Sequence, residues 1–187
     1  MTPDLAAYPP AIILITGIPG AGKTTVARAL AARFPRGVHI EGDALQGMIV
    51  SGRVWPEPPE PRGEAAAQLA LRYRNEALLA RSFFEAGFHV VIDDIVIGAW
   101  LSIHRELLAG LPVHLVVLVP GIEAVKARNA GRDKDVFETW GYLDRDLRDQ
   151  MRGLGLWIDS TGQMVQETVE EILDRVWDAG QMASTSA

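Results

Sequence analysis

Cysteine is missing from all 187 residues. That absence removes disulfides, thiolate metal sites and cysteine nucleophiles, and on that ground alone it leaves the compartment open. Basic charge is scarce as well: 18 Lys and Arg stand against 24 Asp and Glu, a net charge of −6 with no basic stripe. Duplex binding needs clustered cations to neutralise phosphates, so long nucleic acid is not expected as a partner. No segment approaches the roughly 20 uncharged apolar residues of a spanning helix, and Met1 to Pro10 lacks the basic start and apolar centre of a signal peptide. A soluble, cytoplasmic chain without a membrane partner is the expectation. The four histidines, His39, His89, His104 and His114, show no helical metal-ligand spacing, and three of them open predicted strands. They are expected to be structural and partly exposed, at the sheet edge away from a ligand crevice, with no metal implied other than Mg²⁺.

Apolar residues make up 48% of the chain, enough for a sizeable core and too many for a disordered protein. One domain over 1–187 is expected, with ends frayed over about 1–10 and 181–187. Its organising stretch is IILITGIPGAGKTT, from Ile12 to Thr25, in which an apolar β-branched run stops at a glycine-rich turn and a helix begins. Gly17, Gly22, Lys23 and Thr24 fill the pattern G-x-x-x-x-G-K-S/T, whose glycines let backbone N–H groups turn inward around a phosphate chain. The nucleotide-binding residues are therefore Gly17, Ile18, Pro19, Gly20, Ala21, Gly22, Lys23, Thr24 and Thr25. Lys23 would reach the β- and γ-phosphates, and the Thr24 hydroxyl would ligate Mg²⁺. A merely structural turn does not require this context: a strand before it, and Val26, Ala27, Leu30, Ala31 and Phe34 at helical spacing after it.

The first helix should run from about Gly22 to Phe34, and Val38 to Glu41 reads as a second strand. Asp43 follows that strand at the same sheet edge as the phosphate loop. Aspartate at such a turn is commonly an N-cap. Beside a phosphate loop the other role gains weight, because a carboxylate that takes the proton of an acceptor hydroxyl is one of the few groups phosphoryl transfer asks of a protein. From Gln46 to Gly63, Pro56, Pro58, Pro59 and Pro61 exclude helix and central strand. That segment is either a surface connection or a cover over an acceptor, with Arg53 and Trp55 as candidate contacts.

Glu64 to Ala86 reads as one long helix whose core stripe includes Leu69, Tyr73, Ala77 and Ala80. Arg72 lies on another face, as an i,i+4 partner of Glu76 or as an acceptor contact. Phe88 to Ile92 is a nearly continuous apolar run, the mark of a buried parallel strand, and it ends in Asp93-Asp94. Of these, Asp93 joins Thr24 as the candidate Mg²⁺ ligand and Asp94 is the candidate acceptor contact, although the spacing itself leaves the two roles interchangeable. Gly98 to Gly110 should be helical with Trp100 in the core. Val113 to Val119 reads as a fourth strand, and Ile122 to Arg132 as a helix ending in the densest positive charge of the chain. Arg128 and Arg132 suit the equatorial oxygens of a migrating phosphoryl group, in a lid of about 128–150. Leu154 to Ile158 is the fifth strand, and a Ser/Thr-x-x-Gln pattern at Ser160 to Gln163 is expected to cap the last helix.

Through GIPGAGKTT, EGDAL, VVIDDIVIG, ARNAGRD and IDST, the chain from about Ile12 to Val176 resembles the small P-loop kinases that phosphorylate low-molecular-weight alcohols. Among them it is most similar to the chloramphenicol phosphotransferases. The resemblance implies an α/β, three-layer P-loop NTPase fold with a five-stranded parallel sheet of order 2-3-1-4-5 and helices on both faces. It also implies ATP and Mg²⁺ as cofactors, a small-molecule hydroxyl as acceptor, Asp43 as the catalytic aspartate beside Lys23, and Arg128 and Arg132 as lid arginines. Between Gln46 and Gly63 the chain departs from that pattern, so the antibiotic itself is not carried over. Two other readings stand beside it. One is a nucleoside, nucleotide or RNA-end kinase. The other is a nucleotide-dependent switch with slow ATPase, in which Asp43 would have no organic hydroxyl to serve.

Overall fold

A computed structural model describes residues 8–56, 60–129 and 142–182. Three apolar runs set its framework: β1 (Ile12–Gly17), β3 (His89–Asp93) and β4 (Val113–Leu118) are buried at every position. Strands apolar on both faces belong inside a parallel sheet covered by helices on each side. The shorter β2 (Gly37–Glu41) and β5 (Leu156–Ile158) close the edges. All pairings are parallel and the strand order is β2-β3-β1-β4-β5, as the resemblance implied.

Between the strands run α1 (Lys23–Ala31), α2 (Gly42–Gly47), α3 (Gly63–Glu85) and α4 (Leu101–Leu107). They are followed by α5 (Ile122–Asn129), α6 (Tyr142–Gln150) and α7 (Val165–Ala179). Helices α1 and α7 pack together over one face of the sheet, and α3 and α4 over the other. The register decides where chemistry can sit. Glu41 lies opposite Asp93, Ile15 opposite Asp93, Gly17 opposite Leu118 and Leu118 opposite Ile158. β2 and β3 thus end level with Ile15, and β4 and β5 end level with Gly17 two residues further on, so the loops leaving all five strands share one edge of the sheet.

Several expectations are corrected at the level of local structure. Helix α1 stops at Ala31, and two short-range turns carry the chain on so that Phe34 still reaches the core. Ser160 to Gln163 does not cap α7. Asp159 instead accepts the Thr161 N–H at 2.9 Å, while the Glu167 carboxylate accepts the Met164 N–H at 2.7 Å and starts the helix one turn later. At the other end, Gln181 is not frayed: it bridges to His114, and Met182 N–H donates to the Val113 carbonyl at 2.9 Å. Tyr8, within the segment expected to fray, stacks on Trp177 at 4.6 Å. Residues 1–7 and 183–187 lie outside the described residues.

The histidines are more buried than expected. His89 stacks on Phe34 and His114 packs edge-on to Trp177, both 5% exposed, so aromatic packing rather than water surrounds them. No helix among the described residues is long and apolar enough to cross a membrane.

Leu14 sits at the centre of the middle strand with no exposed surface. Leu14→Ala is expected to lower stability by about 2–5 kcal/mol through lost burial and a residual cavity, read as a lower urea midpoint at unchanged slope.

Candidate active site

The phosphate loop takes a path that glycine alone allows. Gly20 and Gly22 have φ of 82° and 92°, in the left-handed region that a Cβ disfavours. A Cβ on Gly17 would lie 2.7 Å from the Leu118 carbonyl oxygen, so the loop is seated directly on β4. No side chain caps the start of α1, and its first N–H groups are left to face an anion. The Lys23 ammonium folds back across the loop and donates to the Ile18 carbonyl at 3.2 Å. Burial lowers its pKa, against the attraction of Asp93, Asp94 and Asp43.

Residue by residue, the register brings the next groups to the loop. Thr24 Oγ1 donates to Asp93 Oδ2 at 2.8 Å, and His39 Nε2 meets the other oxygen, Asp93 Oδ1, at 2.5 Å. Two neighbouring hard oxygens fit Mg²⁺, which takes few protein ligands and fills its octahedron with phosphate oxygens and water. Among the described residues there is no group of three or more His, Cys, Asp or Glu that could hold a metal. Thr24 Oγ1 and Asp93 Oδ2 are the oxygens that would hold Mg²⁺ beside a bound nucleotide. Arg128 reaches over from α5 to donate to the Ala21 carbonyl at 3.2 Å and the Ser160 carbonyl at 2.8 Å. Arg132 lies outside the described residues.

Beyond Asp93 the cleft is governed by a buried guanidinium. Arg72, 5% exposed, meets Asp94 through Nη2 and Nε, each at 2.8 Å, and donates through Nη1 to Asp43 Oδ1 at 3.2 Å. It is neither a solvated residue nor the partner of Glu76. That carboxyl, with no exposed surface, pairs instead with His104 Nε2 at 2.8 Å, and its other oxygen lies beside Asp94 Oδ2 at Gly42. Both carboxyls crowd Gly42, where a Cβ would come 2.2 Å from Asp94 Oδ2 and 2.6 Å from Glu76 Oε1. Only glycine lets the β2–α2 junction lie this close, and the next residue is Asp43. Asp43 sits inside the first turn of α2 and caps nothing, since the N-cap residue is Glu41. Its side chain is 71% exposed. Desolvation within the cleft, and then the charge of Asp94, push its carboxyl above the usual range against Arg72 and Lys23.

These groups line one cavity of about 1030 Å³. The phosphate loop from Pro19 to Thr25, Asp43, Arg72, Asp93, Asp94, Arg128 and Trp55 all border it, whereas Arg53 does not. Arg53 lies over the Trp55 ring at 5.7 Å and donates to the Gly47 carbonyl. Trp100, expected in the core, is half-buried and forms part of the cavity wall, packed edge-on to Tyr73 at 5.9 Å.

Sequence reasoning missed His39, the Glu76–His104 pair and a clamp made by Gln46 and Gln68. In the clamp, Gln68 Oε1 accepts the Val54 N–H at 2.8 Å, its Nε2 donates to the Gly52 carbonyl at 2.8 Å, and Gln46 Nε2 donates to the Val54 carbonyl at 2.9 Å. One signal was available: Glu76 sits beside the core residues Tyr73 and Ala77 on the inward side of α3. A carboxyl there has to be paired.

A shared parallel edge carrying a glycine-rich loop, a half-buried lysine and a Thr–Asp oxygen pair defines a P-loop nucleotide-binding domain. The chain belongs to the AAA domain family, whose model matches residues 12–154. No curated protein matches it in sequence. Among solved structures it is similar in fold to the APS kinase of Mycobacterium tuberculosis in complex with AMPPNP and APS, with TM-score 0.68 and 17% identity over 89% of this chain and 96% of that one. It is likewise similar to the shikimate kinase of Acinetobacter baumannii in complex with shikimate, with TM-score 0.60 and 20% identity over 92% and 96%. The tunicamycin resistance protein of Deinococcus radiodurans gives TM-score 0.59 and 22% identity over 93% and 99%.

Burial sets the protons of the hidden pair, raising Glu76 to about 7 from an ordinary 4.5 and lowering His104 to about 4. Between about pH 4.5 and 7 the folded chain keeps a proton at Glu76 that the unfolded chain has released, so this group makes stability fall as pH rises through that window. Glu76→Gln preserves a neutral donor and acceptor and removes that titration. Its melting temperature relative to the parent chain is expected to climb between about pH 5 and pH 8, by the equivalent of up to about 3 kcal/mol. Thermal melts across pH measure it, and a flat or falling difference would show Glu76 ionised in the fold.

Proposed function

We propose that this chain is a kinase that uses ATP and Mg²⁺ to phosphorylate a hydroxyl group of a small molecule. One observation carries the reading: an exposed carboxylate, Asp43, opens into the same cavity as the phosphate loop and is held there by a buried arginine. A binding module or switch needs the loop but has no use for a base oriented toward an organic acceptor. The similar folds of the APS, shikimate and tunicamycin-resistance proteins support it, since two of those are named as kinases and have small molecules bound.

In this mechanism the phosphate chain lies along the N–H groups of the loop, and Lys23 leaves the Ile18 carbonyl to meet the β- and γ-oxygens. Thr24 and Asp93 would hold Mg²⁺, which when bound would supply positive charge against the phosphates. His39 fixes the Asp93 carboxylate from its far side. The acceptor oxygen forms the new bond to the γ-phosphorus as the bond from that phosphorus to the β,γ-bridging oxygen breaks, and the bridging electrons leave with ADP. The acceptor proton passes to Asp43, whose raised pKa improves it as a base. Arg128 stands on the opposite side of the loop, and Arg132 is proposed as its partner in stabilising the transferring group. Alignment and charge placement supply most of the rate.

Lys23→Ala is expected to slow transfer by about a hundredfold or more while the fold persists, because the ammonium acts on phosphates and not on packing. Labelled γ-phosphate transfer measured beside circular dichroism checks this, and activity within a few-fold of the parent would reject the loop's assigned role. Asp43→Asn should keep ATP affinity and lose about 10²–10⁴ in transfer, since the amide can still accept from Arg72 but cannot take a proton. ATP titration and transfer kinetics on the same preparation separate those two effects.

A further inference from the structure

The acceptor half of the cavity is apolar and short of positive charge. Leu69, Tyr73, Ile95, Ile97 and Trp100 form its inner wall. Trp55 covers it from the outer side, 43% exposed, and the Gln46–Gln68 clamp fixes the backbone on either side of Val54 immediately before it. With the backbone before it held, Trp55 presents its indole at a smaller cost in loop ordering to an acceptor that stacks on it.

Charge is distributed in the opposite way from what an anion requires. Among the described residues lining the cavity the cations are Lys23, Arg72 and Arg128, against Glu41, Asp43, Asp93 and Asp94. Lys23 and Arg128 sit on the phosphate loop, at the Ile18 and Ala21 carbonyls. Arg72 alone belongs to the acceptor half, and its nitrogens are already engaged by Asp94 and Asp43. Drawing it onto a substrate carboxylate or phosphate would strand Asp94, 4% exposed, without its counter-ion. Removing one partner of a buried pair is the costly way to break it. The exposed Asp43 and the half-buried Glu41 would repel the same anion.

We infer that the acceptor is a hydroxyl compound without carboxylate, phosphate or sulfate, neutral or amine-bearing, whose apolar or aromatic body packs between Trp55 and Trp100. This rests on the kinase reading of the same site. It sets the chain apart from nucleotide kinases and from kinases of acidic sugars, whose substrates would need a free cation where this cavity has none among the described residues.

The test is a library of alcohols built as matched pairs that differ by one anionic group, such as phenylpropanediol with phenyllactate, a nucleoside with its monophosphate, and methyl glucoside with glucuronate. Each is incubated with the full chain, Mg²⁺ and γ-labelled ATP, and label is counted separately on the organic compound and on inorganic phosphate. The expected result is label on the uncharged or aminated members, with kcat/KM at least about tenfold above their anionic partners. For the best of them, Trp55→Ala should raise the acceptor KM about tenfold without a matching rise in the KM for ATP. Equal or preferential labelling of the anionic members overturns this inference and leaves the kinase reading standing. Label that appears only in inorganic phosphate, or nowhere, overturns the kinase reading and this inference with it.

Discussion

The acceptor side of this molecule depends on one buried ion pair. Arg72 and Asp94 come from different elements, the long helix α3 and the end of β3, and both are almost wholly withdrawn from water. Such a pair contributes little net stability, because desolvation offsets much of the attraction. What it gives is position: once the guanidinium is fixed by Asp94, its remaining nitrogen can hold Asp43 only where α2 places it. Glu76 and His104, both without exposed surface, close the arrangement from beneath.

The parallel sheet explains why this cluster meets the phosphate loop at all. Each strand enters from the same end, so every loop at the carboxyl edge faces the same space, and the register puts Asp93 level with Glu41. Thr24 in α1 and His39 in β2 then reach the two oxygens of one carboxylate, Asp93, from opposite sides. Fixing both oxygens orients that carboxylate before any ligand arrives, which lowers the reorganisation demanded at the moment of reaction. The crowded approach at Gly42 has the same effect for its neighbour Asp43, because the junction cannot shift without driving backbone into two carboxyls.

Local patterns carried far in this chain where the physics was local. The strand–loop–helix at Ile12 to Thr25 is encoded by periodicity and by glycines at fixed spacing, and β3 and β4 by apolar runs that suit nothing but a covered parallel sheet. Capping was harder to read: the side chains of Ser160 and Gln163 were available to cap α7, yet the Asp159 turn and Glu167 determined where it starts. Trp100 was placed in the core on hydrophobicity alone, and the cavity wall claimed it instead.

By itself the sequence determined that a phosphate chain could be cradled after β1, and that carboxylates would stand at the tips of β2 and β3. The reason is that both follow from residues adjacent in the chain, whose geometry is short-range. Tertiary structure alone decided which partners those carboxylates meet. Asp93 takes Thr24 and His39, Asp94 takes Arg72 and Glu76, and Asp43 stays open to the cavity. Nothing in the doublet Asp93-Asp94 distinguishes its two members. They part because successive residues at a strand end point to opposite faces of the sheet, one toward α1 and the phosphate loop, the other toward α3.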